Sequence, residues 1–160
     1  YRLKQYNNRW YLLCCRMSDG RFSNYALDRL VSYELAEGQE YMPCPVEIDE
    51  HFVDIIGVTF LPDEPIQTVV FAGSPREIQF IITKPLHWTQ RRPTEERQQE
   101  LHDRFPCVPS DWIFLTIECK WNFELITTLY SFGERILVLS PERVVNDIKE
   151  KLNKMLHLYE

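Results

Sequence analysis

The chain has 160 residues, of which 44% are hydrophobic and 13% aromatic, and this composition excludes an intrinsically disordered protein. A formal net charge of −6, from 18 basic and 24 acidic residues, argues against a general nucleic-acid coat, which must neutralise many phosphates. The five cysteines lack the spacing of metal ligands, and the apolar runs are too short to span a membrane. We therefore expect a cytoplasmic protein with reduced thiols and with neither a metal nor a cofactor.

The first predicted element is a β-hairpin near the start of the chain. Residues 9–15 and 22–30 have the alternation and aromatic enrichment of strands, and Asp19-Gly20 between them is typical of a tight turn. Residues 31–35 are predicted to continue or bend the second strand. Both faces carry apolar side chains, which suits a small barrel with a partly covered outside better than a free two-layer sheet.

Four side chains of this hairpin form a candidate ligand site. The planar fork of an arginine can clamp a phosphate or a base edge, and a tyrosine can stack on a base or bond a phosphate. The alternative is an ordinary surface ion pair, which would contribute little. Trp10 is predicted to belong to the barrel core, because tryptophan buries a large area. The candidate ligand-binding residues are Arg9, Tyr11, Tyr25 and Arg29.

A connector follows the predicted barrel. The sequence Pro43-Cys44-Pro45 divides the chain, so that residues 1–45 form the barrel portion and residues 46–65 the connector. Within the connector we predict a short helix around residues 48–53 and a loop over residues 61–65.

A second domain is predicted over residues 66–160. Residues 66–72 read as a strand, and Ser74, Pro75 and Glu77 form the capping box of a helix that presents Ile78, Ile81 and Ile82 to the sheet. Pro85 ends this helix, residues 86–90 are predicted as a short strand, and residues 91–109 as a loop with a possible helical turn over 94–102.

The rest of this domain repeats the alternation of strand and helix. We predict a strand over residues 113–121, a helix capped by Asn122 with Phe123 on its apolar face, and a strand over residues 135–139. Ser140 and Pro141 open a long amphipathic last helix. The order β-α-β-β-α-β with one added helix is the ferredoxin-like arrangement.

Two parts of the sequence resemble a known family. The stretch Tyr6-Asn7-Asn8-Arg9-Trp10-Tyr11-Leu12, followed by Tyr25-Ala26-Leu27-Asp28-Arg29-Leu30, resembles the WYL domain of bacterial transcriptional regulators. Residues 129–159 resemble its usual companion, the WCX extension: a helix ends at Phe132-Gly133, a strand follows, and Ser140-Pro141 opens the last helix. The resemblance implies an α+β fold in which a partial Sm- or SH3-like WYL β-barrel precedes a ferredoxin-like WCX domain.

The same resemblance implies a function. The chain would be the ligand-sensing and dimerising region of a bacterial transcriptional regulator that binds a nucleotide or a short single-stranded DNA as its effector. It would control an upstream winged helix-turn-helix domain that reads operator DNA and is absent here, as are the barrel strands expected before Arg9. A homodimer is expected, since palindromic sites require symmetry. The alternative is a dimerisation or interaction module without a small ligand.

An enzyme is not expected from this sequence. Cys14-Cys15 could pair with one of the four histidines as a thiol nucleophile, but nothing in the sequence fixes that geometry. There is no phosphate-binding glycine loop, no His-Glu-x-x-His and no paired-cysteine metal motif. Arg91-Arg92, after Trp88, is a second basic and aromatic cluster, which could extend the ligand pocket but is more typical of a solvated loop.

Overall fold

A computed structural model describes residues 1–43 and 47–160 of the chain. In these two ranges the fold is mixed α+β, with two separate three-stranded antiparallel sheets, four α-helices and no closed barrel. Cys44 and Pro45, at the predicted domain boundary, lie outside the described residues. The strands are β1 (Arg2–Tyr6), β2 (Arg9–Cys15), β3 (Phe22–Ala26), β4 (Ile66–Gly73), β5 (Ile113–Lys120) and β6 (Ile136–Ser140). The helices are α1 (Pro75–Thr83), α2 (Glu95–Arg104), α3 (Phe123–Tyr130) and α4 (Glu142–His157).

The N-terminal sheet begins one strand earlier than predicted. No strand is predicted before Arg9, and this is wrong, because β1 pairs with β2 from Tyr6↔Arg9 to Arg2↔Leu13. Asn7 and Asn8 connect the two strands with φ of 47° and 60°. Two residues with positive φ form the tight turn whose twist matches that of paired strands, and asparagine tolerates this conformation well.

The predicted hairpin between β2 and β3 is confirmed, but its second strand is shorter than predicted. Gly20 has a φ of 67° and donates its amide to the Arg16 carbonyl at 2.8 Å, which closes the turn. Pairing ends at Tyr11↔Ala26, and Leu27–Arg29 forms a 3-10 turn. The alternation of faces therefore stops before Arg29, and residues 31–35 are exposed without regular structure.

One face of the N-terminal sheet is packed and the other is largely open. On the packed face Leu13 is buried and the Phe22 ring meets the Phe52 ring edge-on, with 5.8 Å between centroids. Phe52 belongs to the short 3-10 helix Asp49–Phe52, which confirms the helix predicted in the connector. Trp10 points to the opposite face and is 48% exposed, so its assignment to the core is wrong.

The second sheet has the strand order β5-β4-β6, with both pairings antiparallel. The predicted strand over residues 86–90 is absent, and Arg91 alone forms an isolated bridge to Thr116 of β5. The reason is local: the Thr89 hydroxyl, rather than backbone, meets the Glu118 amide and carbonyl of β5, each at 2.9 Å. A side chain in the place of the backbone prevents a continuous ladder.

The helices cover both faces of the second sheet. Side chains of α1, α3 and α4 pack on one face with Val69, Phe71 and Leu115, and Leu101 of α2 packs on the other with Phe114. The predicted cap of α1 is confirmed, since the Ser74 hydroxyl accepts from the Glu77 amide at 3.4 Å, and Pro85 follows its end. The helical turn predicted after Thr94 is the full helix α2, whose buried Leu101 explains why it persists.

The apolar faces predicted for α1, α3 and α4 are only partly buried. Ile78 and Ile81 are buried, but Ile82 and Phe123 are exposed, because each helix is covered on a narrower stripe than its sequence suggests. The last helix begins at Glu142 rather than Ser140. Its first half contributes Val144 to the core, and in its second half the half-exposed Met155 accepts a hydrogen bond from the Tyr130 hydroxyl through its sulfur. Across the described residues, no helix combines the length and apolarity needed to cross a membrane.

Candidate functional site

A cavity of about 580 Å³ lies where β3 leaves the edge of β2. Because pairing with β3 stops at Tyr11, the chain turns away at Leu27 and leaves space beside the first residues of β2. The cavity is lined by Tyr6, Asn7, Asn8, Arg9, Trp10, Tyr11, Leu27 and Asp28.

Arg9 is the cation of this cavity, and its nearest neighbour is acidic. Its Nε lies 2.9 Å from Oδ2 of Asp28, and the two side chains are 43% and 51% exposed. A pair this exposed is screened by water and is worth up to about 1 kcal/mol. The Nε atom is only one corner of the guanidinium fork, so the terminal nitrogens retain their capacity to donate to an anion.

The structure brings together two of the four predicted site residues. Arg9 and Tyr11 lie two positions apart on β2, share one face and both line the cavity. Tyr25 pairs with Leu12, so it lies on the other face, together with Trp10. Arg29 lies in the 3-10 turn, is exposed, and makes no hydrogen bond or ion pair within residues 1–43 and 47–160. Neither Tyr25 nor Arg29 lines the cavity.

Sequence reasoning missed the rest of the cavity wall. Tyr6, Asn7 and Asn8 come from β1 and its turn, and Asp28 faces Arg9 across the cavity. The Asn7-Asn8 pair was the available signal, because adjacent asparagines favour a tight turn.

Arg91, the alternative basic candidate, does not reach this cavity. Its terminal nitrogen Nη1 donates to the carbonyls of Trp88 and Gln90 at 3.0 and 2.8 Å. The guanidinium therefore stabilises its own loop, in keeping with the simpler interpretation of the Arg91-Arg92 pair.

A second cavity, also of about 580 Å³, lies on the other side of the β1–β2 turn. It shares Tyr6 and Asn7 with the first cavity and is otherwise lined by the second domain. The shared turn therefore separates two neighbouring spaces. The remaining lining residues are Ile56, Phe80, Ile81, Thr83, Lys84, Pro85, Leu86, Thr128, Ser131 and Phe132.

Connector residues 56–59 join the N-terminal sheet to the second domain. From the second domain, Oε1 of Glu124 accepts from the Val58 amide at 3.3 Å and from the Thr59 amide and hydroxyl at 3.1 and 2.8 Å. From the N-terminal sheet, Asn24 donates its side-chain amide to the Val58 carbonyl at 2.5 Å. The connector is therefore hydrogen-bonded both to the N-terminal sheet and to the second domain, and it links the two.

Asn122 and Gly57 complete this junction. The buried Asn122 accepts from the Leu125 amide as the cap of α3, and its side-chain amide donates to the carbonyls of Ile56 and Thr59 at 2.8 and 3.0 Å. Gly57 has a φ of 85°, and a Cβ at this position would lie 2.5 Å from Cγ of Glu124. Only glycine allows this close approach without displacing the carboxylate.

Three titratable groups near the junction have shifted pKa values. Partial burial lowers the pKa of Lys4, an effect that the Glu124 carboxylate opposes. Burial also lowers the pKa of His87, and this shift is opposed by a hydrogen bond to the Val53 backbone and by the charge of Asp54. Burial, with Asp54 nearby, raises the pKa of the Cys119 thiol to about 12, so this cysteine is a poor nucleophile.

Metal ligands do not cluster in the part of the chain that the structure describes. No group of three histidine, cysteine or acidic side chains there could hold a metal ion. The Cys44 position and the His51 side chain are outside that description.

Comparison with known proteins identifies the second domain. Residues 68–156, more than half of the chain, match the WCX domain family. The protein therefore belongs to the WCX family. No curated protein matches the sequence.

One solved structure gives a weaker likeness. Proteasome accessory factor B/C (PafBC) of Arthrobacter aurescens superposes with a TM-score of 0.36 at 14% identity, over 88% of this chain and 19% of the other. The chain thus spans about a fifth of that protein's length. Family membership depends on the WCX match.

Proposed function

We propose that this chain is the ligand-sensing and dimerising region of a bacterial transcriptional regulator. Membership of the WCX family supports this, because the WCX extension is the usual companion of the WYL domain that residues 6–30 resemble. In that interpretation the region controls a winged helix-turn-helix domain upstream, works in the cytoplasm, and is not an enzyme.

The effector we propose is a nucleotide or a short single-stranded DNA. The observation that carries this proposal is the juxtaposition of Arg9 and Tyr11 at one cavity. An arginine fork matches a phosphate, and an adjacent aromatic ring can stack on a base, whatever the base is. Arg29, exposed and unpaired within the described ranges, would meet a further phosphate from the rim.

The architecture is also compatible with the folds that the resemblance implies. Three antiparallel strands, β1 to β3, would form part of an Sm- or SH3-like barrel. In the second domain, the order β5-β4-β6 with a bridge from Arg91 to β5 would be that of a ferredoxin-like sheet whose second strand is reduced to one pair. We therefore interpret residues 66–160 as a ferredoxin-like unit with α4 added.

A titration of single-stranded DNA tests the effector proposal. Fluorescence anisotropy of a labelled short oligonucleotide, measured over a salt series, should show saturable binding whose salt slope counts the neutralised phosphates. Arg9→Ala and Arg29→Ala should each weaken binding about tenfold and reduce the slope by about one. Arg21→Ala is the matched control, because Arg21 is an exposed arginine of the β2–β3 turn and does not line the cavity.

Two outcomes would count against the effector proposal. Binding that is equal in wild type, Arg9→Ala and Arg29→Ala would remove the assigned site. Absence of saturable binding at every salt concentration would remove the nucleic-acid effector and favour the dimerisation module.

Dimerisation through α4 is supported by a separate observation. Val144 is buried and Ile148 partly buried, but Leu152, Met155 and Leu156 continue the same helical stripe and are exposed. An apolar stripe that its own domain leaves about half exposed fits a second copy of the chain, because two identical stripes can cover each other about a two-fold axis.

Sedimentation velocity tests the dimer. Leu152→Lys combined with Leu156→Lys should convert a dimer to a monomer while far-ultraviolet circular dichroism stays unchanged, since both side chains are exposed. Lys151→Ala, an exposed position on the same helix, should leave the dimer intact. A dimer that survives the double substitution would place the interface elsewhere.

A further inference from the structure

We propose that the effector site continues past the β1–β2 turn into the WCX domain, where the second cavity binds the next nucleotide of the same ligand. This inference rests on the proposed function and makes it more specific: the protein would select a dinucleotide or longer single strand over a mononucleotide. The two cavities share Tyr6 and Asn7, so a flexible strand can pass from one to the other over this turn.

The charge of the second cavity fits an anionic ligand. Lys84 follows the end of α1 and lines the cavity, and its ammonium has no hydrogen bond or ion pair in the described part of the chain. None of the cavity's described lining residues is acidic, although the whole chain has 24 acidic residues. Lys84 is exposed, so its ammonium can reach a phosphate held in this cavity, where no lining carboxylate competes for it. The first cavity differs, because there Asp28 competes for Arg9.

The second cavity also offers a surface for a base. Phe80 lies on α1 near Lys84, is 61% exposed and lines the same cavity. Pro85 and Leu86 extend this apolar wall. Aromatic stacking on an exposed ring is the sequence-tolerant way in which proteins hold single-stranded bases, and alternating cations and rings are the usual pattern. Arg9 with Tyr11 and Lys84 with Phe80 repeat that pattern on the two sides of the turn.

The β1–β2 turn gives the two cavities a fixed relation. Asn7 and Asn8 both adopt positive φ, which defines a tight two-residue turn rather than a long loop. A ligand that fills both cavities would therefore contact the N-terminal sheet and the WCX domain together. Its binding energy would depend on how the two parts are arranged, which is the condition for a switch.

Binding of ligands of different length tests this inference. Anisotropy should be compared for labelled thymidine monophosphate, a thymidine dinucleotide and a thymidine octanucleotide, with wild type, Lys84→Gln and Phe80→Ala. We expect Lys84→Gln to weaken dinucleotide and octanucleotide binding about tenfold and to lower the salt slope by about one, with mononucleotide binding unchanged. Phe80→Ala should weaken the same two ligands without changing the slope. Lys151→Gln, which removes the same charge from exposed α4, should bind like wild type.

The outcomes separate this inference from the proposed function. If all three ligands bind and depend on Arg9, but Lys84→Gln and Phe80→Ala bind like wild type, the second cavity is no subsite while the effector site stands. If wild type binds a mononucleotide as tightly as a dinucleotide, the selection for length is overturned. If no ligand binds to wild type, both proposals fall together.

Discussion

At the scale of single residues, the most informative pair is Arg9 and Asp28. The carboxylate lies 2.9 Å from the guanidinium at the cavity where we place the effector's phosphate. An incoming anion must therefore compete with Asp28 for Arg9 and is also repelled by it. At the proposed effector site, such a pair would lower the affinity for the anion while keeping the arginine in position.

Asp28→Asn should strengthen binding of a short single-stranded DNA. Removing the negative charge should gain about 0.5–1 kcal/mol, or roughly two- to fivefold in Kd, at low salt. The gain should shrink as salt is added, because screening weakens interactions between exposed charges. Titrations at two salt concentrations measure it, with Asp19→Asn in the β2–β3 turn as the control. Weaker binding by Asp28→Asn would mean that Asp28 serves mainly to orient Arg9.

Gly57→Ala should strongly destabilise the fold. A positive φ strains alanine, and the new Cβ would displace Glu124 from its three hydrogen bonds, for a total loss of about 3 kcal/mol. Gly133→Ala is the matched control: its φ is also positive, at 58°, but no atom lies within 4 Å of the new Cβ. Its loss should be about 1 kcal/mol. Urea unfolding compares the two, and equal losses would show that the contact with Glu124 is unimportant.

At the scale of elements, helix α3 is important because its first turn holds the connector. Asn122 caps the helix and also binds the carbonyls of Ile56 and Thr59, while Glu124 binds the Val58 and Thr59 amides. The first turn of α3 thus caps its own helix and also holds connector residues 56–59 in place.

Asn122→Ala should cost more than the loss of an ordinary cap. A typical cap contributes about 1 kcal/mol, but here the carbonyls of Ile56 and Thr59, one bond buried and the other partly buried, also lose their donor, so we expect a loss of about 3 kcal/mol. Thr94→Ala removes the comparable cap of α2, where the Thr94 hydroxyl accepts from the Arg97 amide at 3.3 Å, and should cost about 1 kcal/mol. Chemical denaturation of both variants decides whether Asn122 acts beyond its own helix.

Elements were predicted well where the sequence carries both periodicity and caps. Strand β4, the Ser74 cap of α1 and the Asn122 cap of α3 combine regular alternation with a specific start signal, and all three are confirmed. The strand expected over residues 86–90 failed because a threonine side chain occupies the place of the backbone ladder, a contact that periodicity does not encode.

The candidate site was harder to predict because it depends on strand register. Residues on one strand keep their relation, so Arg9 and Tyr11 were correctly expected to share a face. Tyr25 is on another strand, and a shift of one residue in the β2–β3 pairing would move it to the other face. The 3-10 turn that carries Arg29 out of the strand is likewise not predicted by the alternation of the sequence.

At the scale of the whole molecule, the two sheets are both bonded to the connector. The protonation state of a buried group beside the connector should therefore affect the free energy of unfolding of the whole protein. His87 is buried beside this segment: the neighbouring Trp88 ring donates from Nε1 to the Val53 carbonyl at 2.7 Å. Burial lowers the pKa of the His87 imidazole in the folded protein.

Stability should therefore fall as the solution becomes acidic. The unfolded chain takes up a proton at His87 near pH 6.5, whereas the folded protein takes it up only at a lower pH. The contribution of His87 to the free energy of unfolding is therefore complete above about pH 6.5 and is lost as the pH falls below it. His87→Gln should flatten the dependence of the unfolding free energy on pH between about 7 and 5. Urea unfolding at several pH values measures this, with His157→Gln at the exposed chain end as the control. Parallel curves for wild type and His87→Gln would contradict the assignment.

The exposed stretch from residue 31 to residue 43 has a practical consequence for following the effector in solution. It forms neither helix nor strand, and lengthening such a loop is inexpensive, about 0.6 kcal/mol for each doubling. By contrast, a single inserted residue between Ile56 and Thr59 would disturb the contacts of Gly57, Val58 and Thr59 with Glu124. A small fluorescent reporter inserted beside Gly38 should thus leave both sheets intact while labelling the segment that follows Arg29.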